Sequence, residues 1–186
     1  MSSASPLQPT LWRTCRVLAN RTRLKICALL FQQPGQTVSA IAERLKLPLP
    51  AASLYLRALE ARGLLTVRRM GRRVVYQPAP ATAGTSGGEL VKALRRVFSQ
   101  DVSPVETIFN TATAFTHPRR VEIFNALRRE TQNPVQLGVR TGISVPSLYR
   151  HLKKLEARGF VACREGEWVV PPRFDPLGCE LTRLAG

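Results

Sequence analysis

The sequence predicts a mainly α-helical chain carrying two small β-hairpins, laid down as two similar copies in tandem. Three observations predict this. Leu59-Glu60-Ala61-Arg62-Gly63 returns as Leu155-Glu156-Ala157-Arg158-Gly159, 96 positions later. Apolar residues recur at helical spacing before each of these glycines and at strand spacing after them. The apolar fraction of 44% is enough to bury a core. Yet the longest apolar runs, such as Ile26-Cys27-Ala28-Leu29-Leu30-Phe31, fall well short of the roughly 18 residues of a membrane helix.

The repeat extends well beyond its clearest motif. At the same offset Arg44 meets Arg140, Leu47 meets Ile143, Leu49 meets Val145, Pro50 meets Pro146, Leu56 meets Leu152 and Leu65 meets Val161. Upstream the offset becomes 97: Arg23-Leu24-Lys25-Ile26 meets Arg120-Val121-Glu122-Ile123, Leu30 meets Leu127, and Leu11-Trp12 meets Ile108-Phe109. The slip falls between Phe31 and Thr37, in a loop, where a change of length is tolerated best.

Each copy reads in the same order. A first helix is expected over Leu7–Leu18 and Pro104–Phe115, and a second over Arg21–Phe31 and Pro118–Arg129. In the second helices Leu24, Cys27 and Leu30, against Val121, Phe124 and Leu127, keep helical spacing. A short third helix starts near Thr37, which can cap it, and near Asn133-Pro134, an N-cap followed by an N1 proline. The turns Lys46-Leu47-Pro48 and Gly142-Ile143-Ser144 lead into a fourth helix that stops at Gly63 or Gly159, where a left-handed residue is needed. Hairpins follow. Leu64 to Arg69 and Arg72 to Tyr76 flank Met70-Gly71, and Phe160 to Arg164 and Glu167 to Val170 flank Glu165-Gly166, with Pro171-Pro172 closing the second.

The expected organisation is a first domain over 7–77, a flexible linker over 78–88 rich in Pro, Ala, Gly, Ser and Thr, and a connecting helix over 89–99. A second domain follows over 102–173, and a tail over 174–186 holds a short helix. The first ten residues have neither a basic end nor an apolar stretch, so no secretion signal is expected and the cytoplasm is the expected location. Cys15, Cys27, Cys163 and Cys179 show no C-x-x-C spacing, and reduced thiols are expected.

Lys and Arg number 28 against 12 Asp and Glu, a net charge of +16. Such a surface attracts a polyanion, with counterion release at each phosphate contact. The charge is unevenly divided. Residues 10–77 hold 13 basic and 2 acidic residues, net +11, and residues 102–173 hold 11 and 6, net +5.

Helix, helix, short helix, turn, helix and hairpin form a winged helix-turn-helix, and the details resemble the ArsR-like branch of transcriptional regulators. That branch has an Arg in the second helix and a recognition helix of the form Ser-x-His-Leu-x-x-Leu, followed by Gly-Leu-Val. The second copy reads Tyr149-Arg150-His151-Leu152-Lys153-Lys154-Leu155, then Gly159-Phe160-Val161. The first reads Ser53-Leu54-Tyr55-Leu56-Arg57-Ala58-Leu59, then Gly63-Leu64-Leu65. Each departs at one position: Tyr149 stands for the Ser and Tyr55 for the His. The resemblance implies double-stranded DNA as partner and a role in transcription. Single-copy relatives pair through their first and last helices. This chain could do so internally, as a pseudo-dimer, through Leu11-Trp12, Ile108-Phe109 and the connecting helix. Whether two chains also associate stays open.

A recognition helix enters the major groove with its first turns toward base edges. With Leu148, Leu152 and Leu155 inward, the second copy presents Ser147, Arg150 and Lys154, flanked by Tyr149 and Lys153. Arg150 suits a bidentate contact to guanine, and His151 a phosphate. The first copy presents Ala51, Leu54 and Ala58, with Ser53, Tyr55 and Arg57 nearby, which suits thymine methyls more than hydrogen bonds. Its wing compensates with Arg68, Arg69, Arg72 and Arg73, a cluster for phosphates or a narrow minor groove. The second wing has Arg164 among Glu165 and Glu167. The expected function is sequence-specific DNA binding with an asymmetric site.

No catalytic constellation, cofactor motif or metal-ligand spacing is present. The third helices lack the Cys, His and Asp of metal-sensing relatives, and His117 before Pro118 reads as a helix-start residue. Two other readings stay open: a winged-helix scaffold for protein interaction, which predicts an apolar exposed patch, and a binder of structured RNA, which predicts exposed stacking aromatics.

Overall fold

The computed structural model describes residues 10–82 and 84–186. The first copy comprises helices α1 (Leu11–Leu18), α2 (Arg21–Gln32), α3 (Val38–Arg44) and α4 (Leu49–Glu60), then a hairpin of β1 (Leu65–Met70) and β2 (Arg73–Pro78). Helix α5 (Ser86–Gln100) connects it to the second copy. That copy repeats the order as α6 (Pro104–Thr113), α7 (Pro118–Arg129), α8 (Pro134–Thr141), α9 (Val145–Glu156), β3 (Ala162–Arg164) and β4 (Glu167–Val169), and α10 (Pro176–Leu184) closes the chain. Both hairpins are antiparallel. The architecture is two tandem winged helix-turn-helix domains, as the repeat predicts.

Local chemistry sets the boundaries. The Asn20 side chain accepts from the Arg23 amide at 2.9 Å and starts α2, and Thr37 starts α3. Asn133 and Gln136 form a reciprocal capping box on α8. Gly63 and Gly159 lie at φ of 67° and 68°. The following amides, Leu64 and Phe160, return to the carbonyls of Leu59 and Leu155, closing α4 and α9 in the same way.

Several boundaries differ from expectation. The start expected at Leu7 falls on residues 7–9, which lie outside the described residues. Helix α6 stops at Thr113 rather than Phe115. Met70 pairs with Arg73, so the first wing turns on Gly71-Arg72 rather than Met70-Gly71. Ser144 precedes α9, but its side chain makes no capping bond. Helix α5 begins at Ser86, inside the stretch expected to be linker, because the Thr85 hydroxyl accepts from the Gly88 amide at 3.1 Å. Gly88 is buried, and a Cβ there would overlap the Thr82 backbone. The glycine serves close packing, whereas composition alone suggests a linker.

One continuous core runs through both copies. Helix α6 packs on α1, α2 and α5, and α10 packs along α5. Arg21 donates to both carboxylate oxygens of Glu106 at 2.7 Å each and lies 3.9 Å above the Phe109 ring. Exposed as it is, the pair fixes orientation more than it adds stability. The Arg21 guanidinium holds the Glu106 carboxyl below its usual range.

Candidate nucleic-acid interface

Each recognition helix is held by one shared device. Arg23 in α2 donates through Nε to the Val17 carbonyl at 2.6 Å and through Nη2 to that of Arg16 at 2.9 Å. At the matching position Arg120 donates to the carbonyls of Ala114 and Thr113 and to the Thr116 hydroxyl. Each guanidinium thus satisfies the open carbonyls at the end of the preceding helix. Each also sits beside the outer part of its recognition helix. Arg23 lies 6.0 Å from the Tyr55 ring centroid, and Arg120 lines a cleft with His151. The arginine was visible in the sequence as a shared residue; its capping role was not.

Inward residues of the recognition helices are Ala52, Leu56 and Leu59 in α4 and, as expected, Leu148, Leu152 and Leu155 in α9. On α9, Tyr149, Arg150, Lys153 and Lys154 are exposed and Ser147 is half-buried. Arg150 Nη2 donates to Ser147 Oγ at 3.0 Å, which holds the guanidinium on the helix surface. Lys153 turns away, bonded to Glu156 at 2.8 Å and near the Trp168 ring. On α4, Leu54 is 66% exposed and Arg57 is exposed, while Ala51 and Ser53 are half-buried. Tyr55 packs against the core, so its ring is only partly available.

The wings differ more. β1 and β2 are six residues each, and Arg68, Arg69, Arg72 and Arg73 stand exposed around their turn without an ion-pair partner among the described residues. β3 and β4 are three residues each. Their turn uses Glu165 and Gly166 at φ of 52° and 82°, two left-handed residues in a tight reversal. Each wing gains a short extra bridge that sequence reading missed, Gln36 with Tyr76 and Gln132 with Trp168.

The helix-turn-helix turn itself contains a left-handed residue in both copies, Lys46 at φ 52° and Gly142 at φ 63°. His117 starts α7, its Nδ1 accepting from the Arg119 amide at 3.1 Å. Its ring meets that of His151 with centroids 4.8 Å apart. Sequence reading treated the two histidines separately, because 34 residues separate them and only the packing of α7 on α9 joins them. Burial, together with the arginines around them, pulls both below the usual histidine range.

Cys15 and Cys27 are buried, and burial raises both thiols, Cys27 to about 12. They are core residues in a form that neither attacks nor ligates readily. Cys163 and Cys179 are exposed. Among the described residues no group of three or more His, Cys, Asp or Glu side chains is placed to hold a metal. None of the described helices is long and apolar enough to cross a membrane.

Fold and surface together define a helix-turn-helix protein of the DNA-binding regulator class. The family model of the helix-turn-helix domain matches residues 18–68 and again 115–164, more than half of the chain, and the chain belongs to that family. The two matches begin 97 residues apart and end 96 apart, reproducing the slip seen between the copies. No curated protein and no solved structure matches the chain.

Proposed function

We propose that the protein is an ArsR-like, sequence-specific regulator of transcription that binds double-stranded DNA through unequal halves. The carrying observation is the division of exposed charge. Four unpaired arginines surround the first wing, whereas the second copy concentrates Arg150 and Lys154 on its recognition helix. Arginines on a wing meet phosphates or a narrow minor groove and supply affinity without regard to sequence. Arg150, on the outer face of α9, reads a guanine through its two parallel donors. Leu54 and Ala51 of α4 contact thymine methyls. Because the halves present different chemistry, the natural site is asymmetric rather than palindromic. A single chain supplies both recognition helices, and the packing of α6 against α1 and α2 supports an internal pairing of the copies.

The test is footprinting on the DNA upstream of the protein's own gene, paired with a scrambled duplex over a salt series. A protected, asymmetric site retained near physiological salt is expected. Equal, steeply salt-dependent affinity for both duplexes overturns the regulatory reading and leaves a charge-driven binder.

A further inference from the structure

A cleft beside the second recognition helix is lined by Arg120, Ser147, Arg150, His151 and Lys154. His117 adjoins it, with its ring 4.8 Å from that of His151. Among the described residues no carboxylate lines the cleft. The groups facing the two histidines are Arg16 of α1, Arg119 and Arg120 of α7, and Arg150 of α9. Arg119 is itself bonded to the Glu122 carboxylate at 3.0 Å. Arg120 is held in place by backbone carbonyls, while Arg150, kept on the outer face of α9 by Ser147, stays free for a base edge. A concave site lined by Arg120, His151 and Lys154 and by no described carboxylate suits a tetrahedral oxyanion. In the first copy the matching residues are Asn20, Ala51, Leu54, Tyr55 and Ala58, and of the clamp only the arginine, Arg23, persists.

We propose that this cleft is a phosphate clamp, filled by a phosphodiester of bound DNA, in which His151, packed against His117, takes up the proton that accompanies binding. The inference rests on the DNA-binding reading and deepens it. In the free protein burial and the neighbouring arginines hold both histidines below their usual range, and His117 lowers His151 further. A phosphate there reverses the sign of the local field and favours the imidazolium form of His151, which donates to its oxygens, while His117 keeps its Nδ1 as the cap of α7. Affinity for DNA therefore rises as pH falls through the histidine range. The linkage is up to about tenfold per pH unit for each proton taken up.

The experiment measures binding of a labelled mixed-sequence duplex by anisotropy from pH 8 to pH 5.5 at constant ionic strength. The histidine resonances are followed by NMR with and without the duplex, and with inorganic phosphate alone. The variant is His117→Asn with His151→Tyr, which installs the residues that the first copy already accommodates around Arg23. For the native chain we expect affinity to rise by about tenfold between pH 7.5 and pH 6, with His151 shifted to higher pKa by duplex. The variant should lose most of that slope. A variant with the native slope, or histidines that titrate alike with and without duplex, overturns the clamp. If inorganic phosphate shifts His151 as far as duplex does, the cleft serves a free anion and its assignment to DNA is overturned. Absence of duplex binding at every pH defeats the DNA-binding reading instead, and the phosphate titration then decides the cleft alone.

Discussion

The two copies solve one packing problem with different side chains, and the difference separates what the fold needs from what binding needs. In the second copy Phe115, Phe124 and Phe160 meet edge to face, with centroids 4.7 to 6.0 Å apart. The first copy has Leu18, Cys27 and Leu64 at the matching positions, all buried. The backbone outcome is the same because an inward position asks for apolar volume, and neighbouring side chains adjust to its shape. Outward positions show no such equivalence: Leu54 against Arg150, Ala58 against Lys154, and Arg69 against Glu165 change charge outright. Duplication preserved the scaffold and left each copy a different chemistry toward its ligand.

The sharpest way to break the comparison is in the core. Phe160→Ala removes a ring that touches Phe115 and Phe124 and lies under Arg173. It should cost about 3–5 kcal/mol in chemical denaturation. Leu64→Ala should cost less, at the lower end of about 2–5 kcal/mol. Equal losses would show that the aromatic cluster adds nothing beyond its volume.

Next in size is the wing. Replacing Arg68, Arg69, Arg72 and Arg73 together by Ala should weaken binding to every duplex alike and flatten the slope of log K against log salt by about 3–4. Arg164→Ala in the second wing should change that slope by no more than about 1. Lost sequence preference with intact general affinity would reverse the division between the halves.

Arg150→Ala should relax preference at one base pair by about 1–3 kcal/mol in competition with singly substituted duplexes. The matching Leu54→Ala should leave hydrogen-bond readout unchanged. A uniform loss across all duplexes would make Arg150 a phosphate contact.

The turn offers a smaller test. Gly142 lies at φ 63°, and Gly142→Ala should lower stability by about 1–2 kcal/mol, read from the thermal midpoint. Lys46, at φ 52°, already bears that strain. Lys46→Gly relieves it but gains unfolded-chain entropy, so a change below about 1 kcal/mol is expected.

The smallest effect is on pH. Folding depresses both His117 and His151, so the unfolded chain binds protons more readily. The histidines therefore favour the native state above the unfolded value near 6.5, and this contribution is lost as pH falls through the folded values. The melting temperature of the free protein should fall on acidification, by less in the His117→Asn, His151→Tyr variant. In the second copy, then, acid loosens the free protein while tightening its complex with DNA; the first copy, with Asn20 and Tyr55, does neither.

Much of this architecture was legible in the chain because short-range physics writes it there. Helical and strand spacing, the caps Thr37 and Asn133, and the terminating glycines act within a few residues of themselves. A duplicated order confirmed each reading by showing it twice. The exposed wing arginines were likewise readable, since charge next to a turn has nowhere to go but solvent. What the tertiary structure alone decided involves residues far apart in sequence. Gly88 sits against Thr82 inside a helix, although composition marks that stretch as linker. Lys153 turns to Glu156 and Trp168, and Tyr55 settles against the core, although both occupy outward-facing stretches of pattern. Arg23 and Arg120 cap helices, and His117 meets His151, because helices pack at distances and angles that no local pattern encodes. Periodicity determines which face of a helix is buried; only packing determines which side chains on the other face come together, and there the chemistry of the site is set.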